Sequence, residues 1–268
     1  MFKLIMLRRL VVLAFILSTA FFVGRSSASA QSSQPNKQFS RPTQIRLDGL
    51  IRSGFKEYYG KEGWQYLIIE RFYPIGWSKD SKFAYLVEPG NEDCDCYLAR
   101  LVVQDLKTDK ILWEYKHEGE SADMGGPKDT LNSFWRKNQK LFSRKLNEYG
   151  IQATNSFVLL KPEINFKGDL ISTQLRIEKD AASLGSGQIS KVVLQVDSKR
   201  QGKKKVYEES YPPESYGSLI DAKVLGHLKS PFEPLVAFVM IEVHWGWEGP
   251  PHTTSTRVIG SSLLSGFH

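Results

Sequence analysis

The stretch YLARLVVQDLKTDKILWEY, residues 97–115, decides how the rest of the chain is read. Tyr97 to Asp105 is a β-branched and aromatic run of strand length, and Lys110 to Tyr115 is a second one. Between them Leu106-Lys107-Thr108-Asp109 is a turn, because Thr and Asp side chains bond their own backbone and favour tight reversals. So short a connection joins antiparallel neighbours, since parallel strands need a crossover of a dozen residues or more. Working outward, Lys82 to Glu88 (KFAYLVE) is a strand that follows the polar turn Ser78-Lys79-Asp80-Ser81. Before it, Trp64 to Phe72 (WQYLIIERF) is a strand leading into Pro74-Ile75-Gly76-Trp77. The segment is a meander of consecutive antiparallel strands, interrupted by the acidic loop Pro89 to Asp95.

After Gly125-Gly126-Pro127 the period changes. Leu131, Phe134, Trp135, Leu141, Phe142, Leu146 and Tyr149 fall at helical spacing, with Lys and Arg on the other face. Asp129 or Thr130 can cap the start, and Gly150 supplies the stop. The aromatic stripe is expected to dock on a sheet, and the basic face to be solvated. Strand signals then return at 157–160, 170–177, 189–196, 204–210, 220–228, 235–243 and 253–259. The fold expected is mainly β: antiparallel, blade-like meanders with one long amphipathic helix packed on the sheet.

The first thirty residues address the chain. Lys3, Arg8 and Arg9 precede an uncharged run from Leu10 to Gly24, and Ser26-Ser27-Ala28-Ser29-Ala30 ends it with small residues. That order is built like a secretory signal peptide cleaved after Ala30. The apolar run is about fifteen residues, where a spanning helix needs roughly twenty. No other run is long enough to cross a bilayer after cleavage. Residues 31–44 (QSSQPNKQFSRPTQ) lack periodicity and are expected to be a disordered linker. Residues 45–268 then form one mainly-β domain, or two β halves, 45–120 and 150–268, joined by the helix at 129–149.

The whole chain carries 36 Lys and Arg against 29 Asp and Glu. Four of the basic residues lie in 1–30, which leaves 32 against 29, a net of +3. That is weak for a nucleic-acid partner, which needs a concentrated basic face. The one dense run, Lys199 to Lys205, surrounds Gly202 and reads as a solvated hairpin tip. The cysteines are Cys94 and Cys96; in an exported chain they are expected to bridge across a tight turn. Such a ring would be strained, so free thiols remain open. Glu88, Glu92, Asp93 and Asp95 lack the register of a calcium loop and read as solvated.

No nucleophile elbow, phosphate loop, dinucleotide fingerprint or H-E-x-x-H is present, and no cofactor is implied. The densest chemistry is Glu242-Val243-His244-Trp245-Gly246-Trp247-Glu248-Gly249-Pro250-Pro251-His252. Trp245 and Trp247 with Glu248 make a ligand platform if an indole faces water. His244, Glu248 and His252 make a metal site if they converge, as a metal-assisted hydrolase of the envelope would need. Otherwise the tryptophans plug the open end of the core. The preferred expectation is a non-enzymatic protein that binds an envelope protein or polysaccharide.

Trp77-Ser78-Lys79-Asp80-Ser81-Lys82-Phe83-Ala84-Tyr85 is similar to the core of the TolB-type β-propeller repeat, W-S-x-D-G-x-x-(I/L)-A-(F/Y). Here Ser81 stands for the usual Gly and Phe83 for the Ile or Leu. The resemblance covers about one blade of roughly 40 residues and implies blade-like strands. A weaker echo runs through Gly226-His227-Leu228-Lys229-Ser230-Pro231 and Val236 to Glu242. With the leader and Ser230-Pro231-Phe232-Glu233-Pro234, the chain resembles a class of predicted secreted bacterial proteins, which implies export to the periplasm or beyond.

Export gives the first expected outcome. Intact-mass measurement on protein from the envelope fraction should show a mature N-terminus near Gln31. A soluble cytoplasmic pool retaining Met1 would refute the leader.

Overall fold

In the computed structural model, residues 37–60, 66–90, 96–120, 129–154, 160, 163–179, 188–212, 218–246 and 249–268 are described. The leader at 1–30 lies outside them. In chain order come helix α1 (Asp48–Gly54), a 3-10 turn (Lys56–Tyr58), β1 (Leu67–Ile68), β2 (Arg71–Trp77), β3 (Lys82–Glu88), β4 (Leu98–Asp105) and β5 (Ile111–Glu118). Helix α2 (Leu131–Glu148) follows, then β6 (Gln152–Ala153), β7 (Ile164–Phe166), β8 (Asp169–Lys179), β9 (Ile189–Ser198) and β10 (Gly202–Ser210). The chain ends in β11 (Leu219–Lys229), β12 (Leu235–His244) and β13 (His252–Ser262). The mainly-β, antiparallel expectation with one long helix holds.

Among the described residues the strands make three sheets. The helix-side sheet runs β5-β4-β3-β2-β6, the middle sheet β1-β13-β12-β11 and the outer sheet β10-β9-β8-β7. Each is built on consecutive antiparallel neighbours, with two exceptions: β6 pairs antiparallel with β2, and β1 pairs parallel with β13.

Packing follows from the alternation of side chains along each strand. On β12, Ala237, Val239, Ile241 and Val243 face a core shared with Phe72, Phe83, Tyr85 and Val102 of the helix-side sheet. The alternate residues Val236, Phe238 and Met240 face a core shared with Ile171, Val192 and Leu194 of the outer sheet. The middle sheet is thus apolar on both faces. Leu47, Ile51 and Phe55, from α1 and its flanks, close the first of these cores.

Helix α2 covers the far face of the helix-side sheet. Thr130 accepts from the Ser133 amide and Ser133 returns the bond, a reciprocal cap that satisfies two free N–H groups. Phe134, Trp135, Phe142 and Leu146 then pack on Tyr73, Ile75, Leu86 and Leu101. The expected docking of the aromatic stripe is what the fold contains.

Several expectations need correcting. Residues 37–44 of the expected linker are held in place: Phe39 is buried, its amide donates to Ser143 Oγ, and its carbonyl accepts from Trp135 Nε1 and Gln139 Nε2. One aromatic residue in a polar stretch was enough to dock it. The expected strand 64–72 is divided, because β1 leaves for the middle sheet and β2 for the helix-side sheet. Pro74 and Gly76 sit inside β2, where the register shifts between them. The basic run is not wholly solvated: Lys204 Nζ donates to the carbonyls of Ser262 and Ser265, over the Phe267 ring, and burial holds its ammonium below the usual lysine range. The strand expected at 157–160 lies outside the described residues except for Leu160. Cys94 also lies outside them, and its bridge to Cys96 with it.

The turn that carries the family resemblance is well defined. Ser78 Oγ accepts from the Lys82 amide, and Ser81 takes the left-handed conformation, φ 73°, where the pattern has Gly. At the weaker echo, Ser230 Oγ accepts instead from the amides two and three residues on, those of Phe232 and Glu233. The two turns meet, since Ser81 Oγ donates to Glu233.

Trp135 is 2% exposed, between α2 and the sheet. Trp135→Ala opens a cavity that the rigid sheet cannot refill, so a loss of roughly 3–5 kcal/mol is expected in chemical denaturation. An unchanged midpoint would mean the helix face is not part of the core.

Candidate functional site

The loop after β12 sorts its aromatic residues by strand alternation. His244 pairs across the ladder with Thr253 and shares the face of Glu242 and Ser255, with Nε2 2.8 Å from Ser255 Oγ. Trp245 and His252 lie on the opposite face, their rings 4.9 Å apart, and His252 also meets Tyr58 edge-on at 5.8 Å. The Gly246 amide donates to His252 Nδ1 at 3.2 Å, so a neutral ring carries its proton on Nε2. His252 is buried, whereas Trp245 is 40% exposed. Trp247 and Glu248 lie outside the described residues.

Two consequences follow. His244 and His252 are not brought together, because they point to opposite faces of one sheet. Among the described residues no three His, Cys, Asp or Glu side chains gather for a metal. The indole of Trp245, by contrast, does face water. In the acidic loop, Glu88 is turned inward and accepts from the hydroxyls of Tyr73 and Tyr97; Glu92, Asp93 and Asp95 lie outside the described residues.

On the Glu242 face the three sheets converge on a groove of about 360 Å³. Glu242 is buried in β12 and accepts from Arg257 Nε at 2.6 Å, from Tyr211 OH at 2.9 Å and from Ser255 Oγ at 3.3 Å. Arg257 also reaches Glu209 at 3.0 Å and lies over the Tyr207 ring, 5.2 Å from its centre. The opposite wall comes from β4. Its pairing places Gln104 opposite Phe83, Val102 opposite Tyr85 and Arg100 opposite Val87, all on one face. Val102 enters the core, while Arg100 and Gln104 line the groove.

The floor is a sheet edge. β13 pairs with β12 along its length but with β1 only at His252 and Thr253. Backbone groups beyond that point need partners, since an orphaned buried N–H or C=O costs about as much as a lost hydrogen bond. Side chains supply them: Glu70 accepts from the Thr256 amide, Gln104 Nε2 donates to the Val258 carbonyl at 3.0 Å, and Asp109 accepts from the Gly260 amide at 2.7 Å. The turn that carries Asp109 comes so close that a Cβ on Gly260 would lie 1.9 Å from the Leu106 carbonyl.

Capping an edge with a carboxylate inside the protein, as Glu70 does, has an electrostatic cost. Burial pushes the Glu70 carboxyl up to about 7, with the Thr256 bonds and Arg100 pulling it back and Glu242 adding repulsion. Burial likewise pushes Asp109 up to about 6, against the bonds from Gly260 and Gln104. Sequence reading missed this set. Glu70, Arg100, Gln104, Asp109 and Arg257 are scattered over strands and turns, and the only sequence signal is polar residues inside otherwise apolar runs. No family model, curated protein or solved structure matches the chain.

A raised carboxyl means that the folded state holds its proton more tightly than the unfolded chain. Stability therefore falls as pH rises from about 4.5 through about 7, the interval over which Glu70 ionises. A lift from 4.5 to about 7 in a side chain 3% exposed corresponds to roughly 3 kcal/mol. Glu70→Gln keeps the acceptor for Thr256 and removes the buried charge. Denaturation midpoints across pH 4–8 should fall less steeply in this variant and end above wild type; parallel curves would show that Glu70 is not the titrating group.

Proposed function

We propose that this chain is an exported, non-enzymatic binding protein of the cell envelope, which engages an envelope protein or polysaccharide through Trp245. The leader-like residues 1–30 support export. The exposed indole, backed by the buried His252 ring, is the observation that carries the binding reading. Such an indole offers a flat apolar face with one N–H donor, the combination that suits sugar faces and peptide side chains. Its backing ring holds it still, which lowers the ordering cost of association. Of the alternative hydrolase set, His244 and His252 lie on opposite faces of one sheet.

Because Trp245 closes no core, Trp245→Ala should lower the melting temperature little. It should abolish cosedimentation of the full-length mature protein with an insoluble envelope polysaccharide fraction, or crosslinking to envelope proteins. Retained binding by the variant would remove Trp245 from the interface. Early melting would instead make the indole a structural plug.

A further inference from the structure

The groove between the sheets is built for a ligand of a different kind. Its lining carries two guanidiniums, Arg100 and Arg257, against two carboxyls, Asp109 and Glu242. So balanced a wall gives no net attraction to a polyanion or a polycation. The polar groups are planar and held in place: Arg257 is fixed by Glu242, Glu209 and the Tyr207 ring, and Arg100 by Glu114 at 3.4 Å. Arg257 spends Nε and Nη1 on these partners and Arg100 spends Nη1, so each fork keeps donors to spare. Ser255 Oγ on β13 adds a hydroxyl, and the Tyr207 ring, with Arg257 over one face, adds aromatic surface.

We propose that this groove binds a neutral sugar unit. Vicinal hydroxyls both donate and accept, so they match a wall that carries both guanidinium and carboxyl groups. A ring with an apolar face matches the tyrosine. A hydrocarbon ligand would leave the polar lining unpaired, and a carboxylate ligand would meet Glu242 beside Arg257 and Asp109 elsewhere in the lining. The volume lies within the range of small-molecule sites. The site is distinct from the Trp245 surface, because Glu242 and Trp245 lie on opposite faces of the middle sheet. It depends neither on that surface nor on export.

The test is saturation-transfer NMR on the full mature chain, with glucose and N-acetylglucosamine as neutral probes and glucuronate as the charged comparator. Transfer from at least one neutral sugar is expected, with no gain for glucuronate at low salt. Arg100→Met should weaken binding about tenfold, the equivalent of one charge-assisted hydrogen bond. Arg100→Lys keeps the charge but loses the planar fork, so it should weaken binding too even if the Met variant folds poorly. Transfer lost in Trp245→Ala but kept in Arg100→Met would place the sugar on the Trp245 surface and overturn the proposal. Absence of transfer from both neutral sugars, salt-sensitive preference for glucuronate, or full affinity in Arg100→Lys would overturn the proposal.

Discussion

The fold depends on one strand being buried on both faces. Leu235 to Val243 of β12 is enclosed along its length, with one set of side chains in the core toward the helix-side sheet and the alternate set in the core toward the outer sheet. A sheet wet on one side alternates apolar and polar residues, whereas a sheet inside a stack reads as a continuous apolar run. β12 is such a run, and its one charged interior residue is Glu242. A lone buried carboxylate costs several kcal/mol after relaxation, so Glu242 is tolerable only with Arg257, Tyr211 and Ser255 around it. The stacking of sheets therefore imposes the polar cluster on the outer-sheet side.

The same stacking creates the problem at β13. A middle sheet needs its edges finished, and β1 finishes only two residues of this one. Closing the rest with a further strand would fill the groove. The chain instead uses single side chains as substitutes for a neighbouring strand: a carboxylate for each exposed amide and a carboxamide for a carbonyl. This blunts an edge that would otherwise offer a template for pairing with another chain. Its cost appears as the raised carboxyls of Glu70 and Asp109.

The sequence made some of this legible for definite reasons. Strands β8 to β13 and helix α2 stand out because each has an uninterrupted period, of two, of 3.6 or of solid apolar character, bounded by Gly, Pro, Ser or Asp. Two expectations failed where long-range packing overrode local composition. Phe39 sits in a Ser-, Gln- and Pro-rich stretch, yet it finds a ready slot beside Trp135 and Ser143. Pro74 and Gly76 lie past the end of the strand expected at 64–72, yet a register shift carries them through the sheet. In the loop at 244–252, alternation separates His244 from Trp245, and by the same rule it separates His244 from His252. The groove was not legible, because it joins residues more than 150 positions apart that meet only once three sheets are stacked.

These constraints explain why polar chemistry gathers where it does. Faces of the stacked sheets exclude water and leave room for little but apolar side chains, so polar groups collect at ends and unfinished edges. At the β13 edge two tasks then compete for the same atoms. Gln104 and Asp109 both line the groove and complete the backbone of β13, so a ligand that drew them away would leave an amide and a carbonyl unpaired. Arg257 is similarly committed to Glu242. Among the described residues Arg100 completes no backbone; a long ion pair to Glu114 and its attraction for the buried Glu70 are what engage it. Of the groove's charged and amide side chains it is the one least tied to the stack, and so recognition and stability are most nearly separable at that position.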